Sequence, residues 1–550
     1  MTNVISSSMI PEPGQFRLDS IEVRIESGEI KIPQFQRNFV WNPKDTAKLF
    51  DSILKGYPIG TFTFWTTTER MRTVKEVGGF PLPQAAPGTM IKYLLDGQQR
   101  MTSIYACIKG SKIGQNDYSK ISFRLIGPSE DGQLVVEDPE GLDATEYISI
   151  TDLYSALNSK LRRVYDDNTI DFIEHYRQCL KSYPLSIINL SNAPLDVATD
   201  IFTRINTSGK TLTMFEIICA RMYDESNDFD LYDKRSEQKQ NFANANYDSV
   251  PDATILQAIS LCINGSCKKD DILRTDKNSF MNAWDPVNKA FEKAIDYLKT
   301  YYSIPVSKLL PYDALIVLFV YYFYKTGFDR PEAAHEPYLR DYFWRVVLTN
   351  RFTEGLVSKL SQDKQIIDKI IAGEKPDGLP PVDISANAIK NNGTFSLSSA
   401  YSKGFLCILA SKHPKSFDNG ADVIIDNDWL SASSAKNYHH FFPKAYMKNN
   451  FPTVDENEVN HVANITIVDS HLNQRKIKAK APSVYINEFR TANPNYDLQA
   501  TMDSHLIYDL KGFGVEDDNY SLFFQKRIEA YQKELKDRLL IDSNRDIVDD

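Results

Sequence analysis

Two adjacent histidines and two later asparagines are the residues of this chain best suited to chemistry. His439 and His440 lie in Asn437-Tyr438-His439-His440-Phe441-Phe442-Pro443, Asn464 follows, and Asn473 comes nine residues later. An imidazole can take a proton from water near neutral pH. A divalent cation can neutralise a phosphate and its leaving oxygen. The order therefore predicts a metal-dependent site that cleaves phosphodiester bonds.

Local patterns suggest a role for each of these residues. Adjacent residues in extended structure point to opposite sides, so one histidine is expected to act as the base and the other as a metal ligand. Asn464 lies in an alternating, strand-like segment, where its amide is expected to hold a loop through backbone hydrogen bonds. Asn473 starts a basic helical segment, and its carbonyl oxygen suits a hard cation such as Mg²⁺. The expected arrangement is a β-hairpin and a helix around one metal ion.

The distribution of charged residues is consistent with a local rather than a uniform nucleic-acid-binding surface. The chain has a net charge of −10, which excludes a basic coat. Between His471 and Arg490, however, there are five Lys or Arg residues and one acid, Glu488. This patch beside the histidines predicts a contact with DNA. A solvated helix face is the alternative interpretation.

Four strings in this region resemble the HNH (ββα-metal) nuclease module of the DUF1524 family: His439–Lys444, Ala463–Ile467, Asn473–Lys476 and Pro482–Tyr485. The resemblance implies that His440 is the general base, that Asn464 orients the loop, and that His439 and Asn473 are the metal ligands. His439 stands where the family has an acid, which allows Mn²⁺ or another divalent cation as well as Mg²⁺. Ala463 stands in place of a glycine.

A second candidate site is the string Asp96-Gly97-Gln98-Gln99-Arg100, which reads as strand, tight turn and helix. Amides at the start of a helix attract anions, and the guanidinium of Arg100 suits a phosphate. Asp96 is expected to bind a cation or to activate water. Taken alone, the string is more typical of a capped helix with a surface arginine.

Two further strings flank it, one with Gln36 and Arg37 after Ile32-Pro33, the other Phe202–Leu212 with Asn206. Together the three resemble the DUF262 family over residues 15–225. The resemblance implies a fold similar to ParB and sulfiredoxin and a site that binds and hydrolyses a nucleoside triphosphate, GTP or ATP. The implied binding residues are Gln36, Arg37, Asp96, Gly97, Gln98, Gln99, Arg100 and Asn206. The Walker string Gly-x-x-x-x-Gly-Lys-Ser/Thr does not occur in the sequence.

The predicted fold class is multidomain α+β. Residues 1–225 form the nucleotide-binding domain, 226–400 an α-helical middle domain, 401–495 the HNH domain and 496–550 a helical extension. Asn42-Pro43 predicts the start of a helix, and Thr213 with Glu216 predicts a capping box. Strands are expected at 61–65, 91–95 and 186–190, helices at 99–108, 286–302 and 523–540, and the acidic end 546–550 is expected to fray.

No signal peptide or bilayer-spanning run is expected. The longest apolar run, residues 314–324, is shorter than the ~20 residues that cross a bilayer. The six cysteines are scattered and form no Cys-x-x-Cys pair, which predicts a reducing, cytoplasmic environment and no zinc site.

The combined architecture resembles GmrSD-type modification-dependent restriction nucleases and the related SspE- and BrxU-like proteins. The resemblance implies a nucleotide-gated endonuclease or nickase that acts on DNA, including modified phage DNA, in bacterial antiphage defence. One nuclease site per chain predicts nicking unless two chains form a homodimer. Two other hypotheses remain open: a nucleotide-driven DNA-binding sensor with an inactive nuclease module, and an RNA-cutting toxin.

Overall fold

The protein is described here from a computed structural model. The structure describes residues 11–34, 36, 39–74, 76–83, 88–191, 193–205, 213–224, 226–426, 438–469, 477–494 and 496–549. The chain forms two compact units, with the boundary between Tyr232 and Asp233. The first unit is mixed α/β and the second is mainly helical, in agreement with the predicted α+β class. The finer division at residues 400 and 495 stays a prediction.

The described strands of the first unit build one five-stranded sheet and several short ribbons. In chain order they are β1 (Glu12–Arg17), β2 (Ile30–Lys31), β3 (Phe62–Thr67), β4 (Glu76–Val77), β5 (Phe80–Pro81), β6 (Ile91–Asp96), β7 (Lys112–Ile113), β8 (Asn116–Asp117), β9 (Ser122–Arg124), β10 (Val135–Val136), β11 (Tyr147–Ser149) and β12 (Pro184–Ser191). The main sheet has the order β1-β12-β3-β6-β2. β12 is parallel to β3 and β2 to β6, whereas β1 is antiparallel to β12 and β3 to β6.

The sheet separates two hydrophobic layers, because successive side chains of a strand face opposite sides. Phe62, Phe64 and Leu94 belong to one layer, and Trp65 and Tyr93 belong to the other. The helices of this unit are α1 (Asp19–Glu26), α2 (Pro43–Leu54), α3 (Gln98–Lys109), α4 (Ile150–Ser155), α5 (Asn158–Leu161), α6 (Asp167–Ser182), α7 (Leu195–Ile205) and α8 (Met214–Met222).

Both predicted helix starts are confirmed. Asn42 caps α2, where its Oδ1 accepts from Asp45 N at 3.0 Å while Asp45 Oδ2 accepts from Asn42 N at 3.3 Å. Thr213 and Glu216 form the same reciprocal pair at α8. Strand β1 was not anticipated. Its Pro13 and Gly14 hide the strand signal, and such residues are tolerated because β1 is an edge strand.

From Leu231 onward the chain is mainly helical. The helices are α9 (Leu231–Asn244), α10 (Asp252–Asn264), α11 (Lys269–Arg274), α12 (Lys277–Tyr301), α13 (Asp313–Thr326), α14 (Glu336–Leu348), α15 (Leu356–Ile371), α16 (Ala386–Asn392), α17 (Ala400–Ala410), α18 (Lys444–Asn450), α19 (Glu456–Val459), α20 (Pro482–Ala492), α21 (Leu498–Asp503) and α22 (Tyr520–Lys536). Where the structure describes this part of the chain, two short strands lie among the helices, β13 (Tyr438–His440) and β14 (Ile465–Ile467). No helix among the described residues is both long and apolar enough to cross a bilayer.

Two predictions about this unit were wrong. The helix expected to begin at Pro286 begins at Lys277, where Asp276 caps it, and Pro286 lies inside it. Its buried residues, such as Phe280 and Trp284, offset the backbone hydrogen bond that the proline lacks.

The acidic end also differs from the expectation that it frays. Asp546 is fully buried and accepts two hydrogen bonds of 2.7 Å from Arg345. Arg345, itself buried, also donates to Asp341. Desolvation opposes ionisation of Asp546, but hydrogen bonds from Arg345 and from backbone amides outweigh it, and its pKa is about 2. The tail therefore carries a buried ion pair.

Candidate active site

The two histidines lie on an antiparallel pair of strands. β13 pairs with β14 so that His439 is opposite Thr466 and His440 is opposite Ile465. The side chain of His439 is buried, with the rings of Phe417 and Tyr485 at 6.2 and 5.9 Å. His440 is half-buried and contacts a different neighbour, Asn460. The two imidazoles thus have separate surroundings, as the sequence predicted for adjacent residues of a strand.

Asn464 holds the chain immediately after His440. It is fully buried, its Nδ2 donates to Phe442 O at 3.0 Å and Val459 O at 2.9 Å, and its Oδ1 accepts from Phe442 N at 2.8 Å. The predicted backbone hydrogen bonds of this amide are therefore present. A buried side chain with three such bonds fixes the local backbone, since breaking them would leave buried polar groups unpaired.

His440 is neutral in the physiological pH range. Burial lowers its pKa to about 4, and nearby Lys444 acts in the same direction, while the hydrogen bond with Asn460 acts against them. The distance from His440 Nε2 to Asn460 Oδ1 is 2.9 Å. A neutral imidazole has a free nitrogen lone pair that can accept a proton or bind a metal ion.

Residues far away in sequence support this pair of strands. Arg527 of α22 is buried, and it donates from Nε to Ala463 O at 3.0 Å and from Nη2 to Ile465 O at 2.7 Å. Tyr485 donates its hydroxyl hydrogen to Phe441 O at 2.7 Å. The string Pro482–Tyr485 pointed to the tyrosine, but nothing in the sequence signalled Arg527 or Asn460, whose roles depend on tertiary contacts.

The second predicted metal ligand, Asn473, lies outside the described residues, as do Arg475 and Lys476 of the basic patch. Within the described part of the chain, no group of three or more His, Cys, Asp or Glu side chains is placed to hold a metal ion. The expected donors are instead an imidazole and an amide oxygen. His439 is almost completely buried, and its nitrogen suits Mn²⁺ or Zn²⁺. The donor types thus fit a divalent cation.

In the amino-terminal string, Gly97 lies between β6 and α3 with φ of +96°. A Cβ on this residue would come within 2.5 Å of Phe62 Cδ1. Only glycine combines this backbone conformation with such a close approach. The turn therefore depends on Gly97, which brings the start of α3 against the first hydrophobic layer.

Arg100 stabilises the same turn. Its guanidinium donates to Ile59 O at 2.6 Å, to Thr61 O at 2.9 Å and to Asp96 Oδ2 at 3.3 Å, and it lies 4.9 Å from the ring centroid of Phe62. Most of its donors are therefore engaged with the protein. Its predicted role in phosphate binding stays a prediction.

Two glutamines connect the segment after Ile32-Pro33, which contains Gln36, to this turn. Gln99 is buried, and its Oε1 accepts from Val40 N at 2.9 Å and from Trp41 N at 3.3 Å. Gln36 donates to Leu94 O, and Gln98 is half-buried at the first turn of α3. Arg37 and Asn206 lie outside the described residues. The structure thus brings the segment around Gln36 next to the Asp96–Arg100 turn, as a shared site requires.

Comparison with known proteins gives two likenesses. Residues 19–223 match the family model described as the N-terminal domain of GmrSD restriction endonuclease. These residues run from the start of α1 to just beyond α8 and include the Asp96–Arg100 turn. An uncharacterized protein of Methanocaldococcus jannaschii is 23% identical over 557 aligned residues, which cover 92% of each chain. The amino-terminal unit is therefore similar to the N-terminal domain of GmrSD restriction endonucleases, and nearly the whole chain has a counterpart in that archaeal protein.

Proposed function

We propose that this protein is a metal-dependent DNA endonuclease or nickase of the restriction type, with a nucleoside triphosphate site in its first unit. The likeness of residues 19–223 to the GmrSD N-terminal domain supports the restriction type. The observation that carries the cutting chemistry is the β13–β14 pair, where a neutral His440 is followed by a backbone that Asn464 fixes.

In the proposed mechanism His440 takes a proton from the attacking water. Because burial keeps the imidazole neutral, it is ready to accept that proton at physiological pH.

The remaining roles belong to the strand and helix beside His440. His439 and Asn473 would hold a divalent cation. Such an ion neutralises the phosphate and the leaving oxygen when bound. Asn464 keeps Phe441 and Phe442 in place, and Tyr485 adds a hydrogen bond to Phe441 O. Together they keep the direction of His440 constant relative to the substrate.

Nicking of a supercoiled plasmid with Mg²⁺ or Mn²⁺ tests the cutting activity. Wild type should cut, and His440→Ala should lose at least about 100-fold in rate, because a general base contributes 10²–10⁴. His413→Asn is the control: it removes an exposed histidine of the same unit, and asparagine tolerates its φ of +51°. Equal cutting by wild type and His440→Ala would refute the proposed role.

The same assay distinguishes the two other hypotheses. A wild-type protein that shifts DNA in a gel but cuts no nucleic acid with any divalent ion would be the sensor with an inactive module. Preference for structured RNA over plasmid, by rate under the same conditions, would indicate the RNA-cutting toxin. Matched modified and unmodified phage DNA then tests whether a modification is required.

Nucleotide gating has its own test. GTP or ATP is expected to raise the thermal stability of the first unit and to change the cutting rate. Asp96→Asn should weaken both effects, since Asp96 stands at the predicted site and pairs with Arg100. Asp19→Asn, which removes the carboxylate of the exposed Arg17–Asp19 pair, is the matched control. An Asp96→Asn variant with an unchanged nucleotide response would argue against gating through this turn.

A further inference from the structure

The hydrogen bonds of Asn460 determine which nitrogen of His440 carries the proton. Asn460 Nδ2 donates to Phe395 O at 3.0 Å. A carbonyl oxygen only accepts, so this contact fixes the orientation of the amide. Asn460 Oδ1 therefore faces His440 Nε2, at 2.9 Å. An amide oxygen also only accepts, so Nε2 must carry the hydrogen, and in the neutral ring Nδ1 has the lone pair.

Asn460 is itself held in place by its backbone. Asn460 N donates to Glu456 O at 2.9 Å at the end of α19, and Phe395 N donates to Asn460 O at 2.8 Å. With the side-chain bond to Phe395 O, residues 395 and 460 are joined twice. The next two residues are fixed as well. His461 Nε2 contacts Ile389 O at 3.1 Å, and Val462 N donates to Gly393 O. The acceptor for His440 is thus rigidly placed.

We propose that Asn460 is a positioning residue of the nuclease site: it holds His440 in the Nε2–H tautomer, so that Nδ1 is the atom that takes the proton from water. This inference rests on the proposed function. It adds to it a residue outside the four matched strings and the identity of the reacting atom. Asn464 fixes the backbone after His440, whereas Asn460 fixes the imidazole itself.

Two substitutions of Asn460 separate this role from simple packing. Asn460→Leu removes the acceptor, whereas Asn460→Asp keeps an acceptor oxygen next to Nε2 and loses only the donor to Phe395 O. The tautomer is read by ¹⁵N NMR of the full chain labelled in histidine, with the His440 signals assigned by their loss in His440→Ala. Wild type and Asn460→Asp should show hydrogen on Nε2, whereas Asn460→Leu should show a mixture of tautomers.

Cleavage kinetics give the second readout. Asn460→Leu should lower kcat about 10- to 100-fold with little change in KM, because part of the base is in the wrong tautomer and the ring is no longer held in the reactive direction. Asn460→Asp should restore most of kcat. Asn457→Leu, at an exposed asparagine of α19, the short helix that Asn460 directly follows, is the matched control and should behave as wild type in both assays.

The outcomes separate the two proposals. Hydrogen on Nδ1 of His440 in wild type would overturn the role of Asn460, whatever the activity, and this measurement does not depend on whether Asn460→Leu folds. Wild-type kcat in an Asn460→Leu protein with mixed tautomers would overturn it as well. Unchanged cutting by His440→Ala would instead refute the proposed function, and with it the catalytic meaning of the tautomer.

Discussion

Gly97 is the residue of the amino-terminal turn with the least freedom to change. In Gly97→Ala the new methyl group would meet Phe62 at 2.5 Å, at a φ of +96°. Overpacking and backbone strain should together lower the free energy of unfolding of the first unit by about 2–4 kcal/mol. Urea unfolding, with hydrogen exchange of the α3 amides as the local readout, measures this loss of stability.

Gly132→Ala is the matched control for this prediction. Gly132 also has a positive φ, +73°, but its Cβ would meet nothing within 4 Å. Only the backbone strain remains, so the free energy of unfolding should fall by about 1 kcal/mol. If both variants lost the same stability, contact with Phe62 would not be the reason for glycine at position 97.

At the level of elements, α22 anchors the strand that faces His440. Arg527→Met would leave the carbonyl groups of Ala463, Ile465 and His505 without this donor, in a buried position. Each unpaired buried acceptor costs about 1–3 kcal/mol, so the free energy of unfolding of the second unit should fall by at least about 3 kcal/mol. Within the described residues Arg527 forms no ion pair with a carboxylate, so hydrogen bonds rather than charge pairing carry this effect.

Lys526→Met, on the same helix, serves as the control for Arg527→Met. Lys526 is partly exposed and pairs with Glu529 at 2.7 Å, and exposed pairs contribute less than about 1 kcal/mol. Thermal unfolding of both variants, with DNA cutting measured below the transition, gives the comparison. A fully stable Arg527→Met protein would show that β14 holds its place without α22.

Local patterns predicted the elements of this fold better than its tertiary contacts. Asn42, Thr213 and the alternation around β3 act within a few residues, so sequence reveals them. Arg527 lies 64 residues from Ala463, and Arg345 lies 201 residues from Asp546. No periodicity encodes such pairs. The same limit applies to the site: the histidine pair and Asn464 formed a motif, whereas Asn460 was found only through its contacts.

For the whole molecule, acid should destabilise the two units unequally. Seven of the eight histidines belong to the second unit. Burial lowers the pKa of His461 and of His505 to about 4, although each contacts a backbone carbonyl that acts in the opposite direction. In the unfolded chain both would titrate near the ordinary value of about 6.5. Between pH 6.5 and pH 4 the unfolded state therefore binds more protons than the folded state.

The sign of the effect follows from this difference in bound protons. The contribution to stability is complete above pH 6.5 and is lost as pH falls towards 4, by up to about 3 kcal/mol for each histidine. The first unit contains only His175, which is exposed, so its stability should change little over the same range. Urea unfolding at pH 7.5 and pH 4.5, with hydrogen exchange to separate the units, tests this.

A double variant decides how much of the acid sensitivity these two side chains cause, since burial also lowers the pKa of His440 to about 4. His461→Gln/His505→Gln should be less stable than wild type at pH 7.5, because its glutamines fit the buried positions less well. Its second unit should nevertheless lose several kcal/mol less on acidification, since neither glutamine can be protonated. An equally steep loss in wild type and double variant would assign the acid sensitivity to other groups of the unit. If the first unit lost as much stability as the second, buried histidines would not explain it at all.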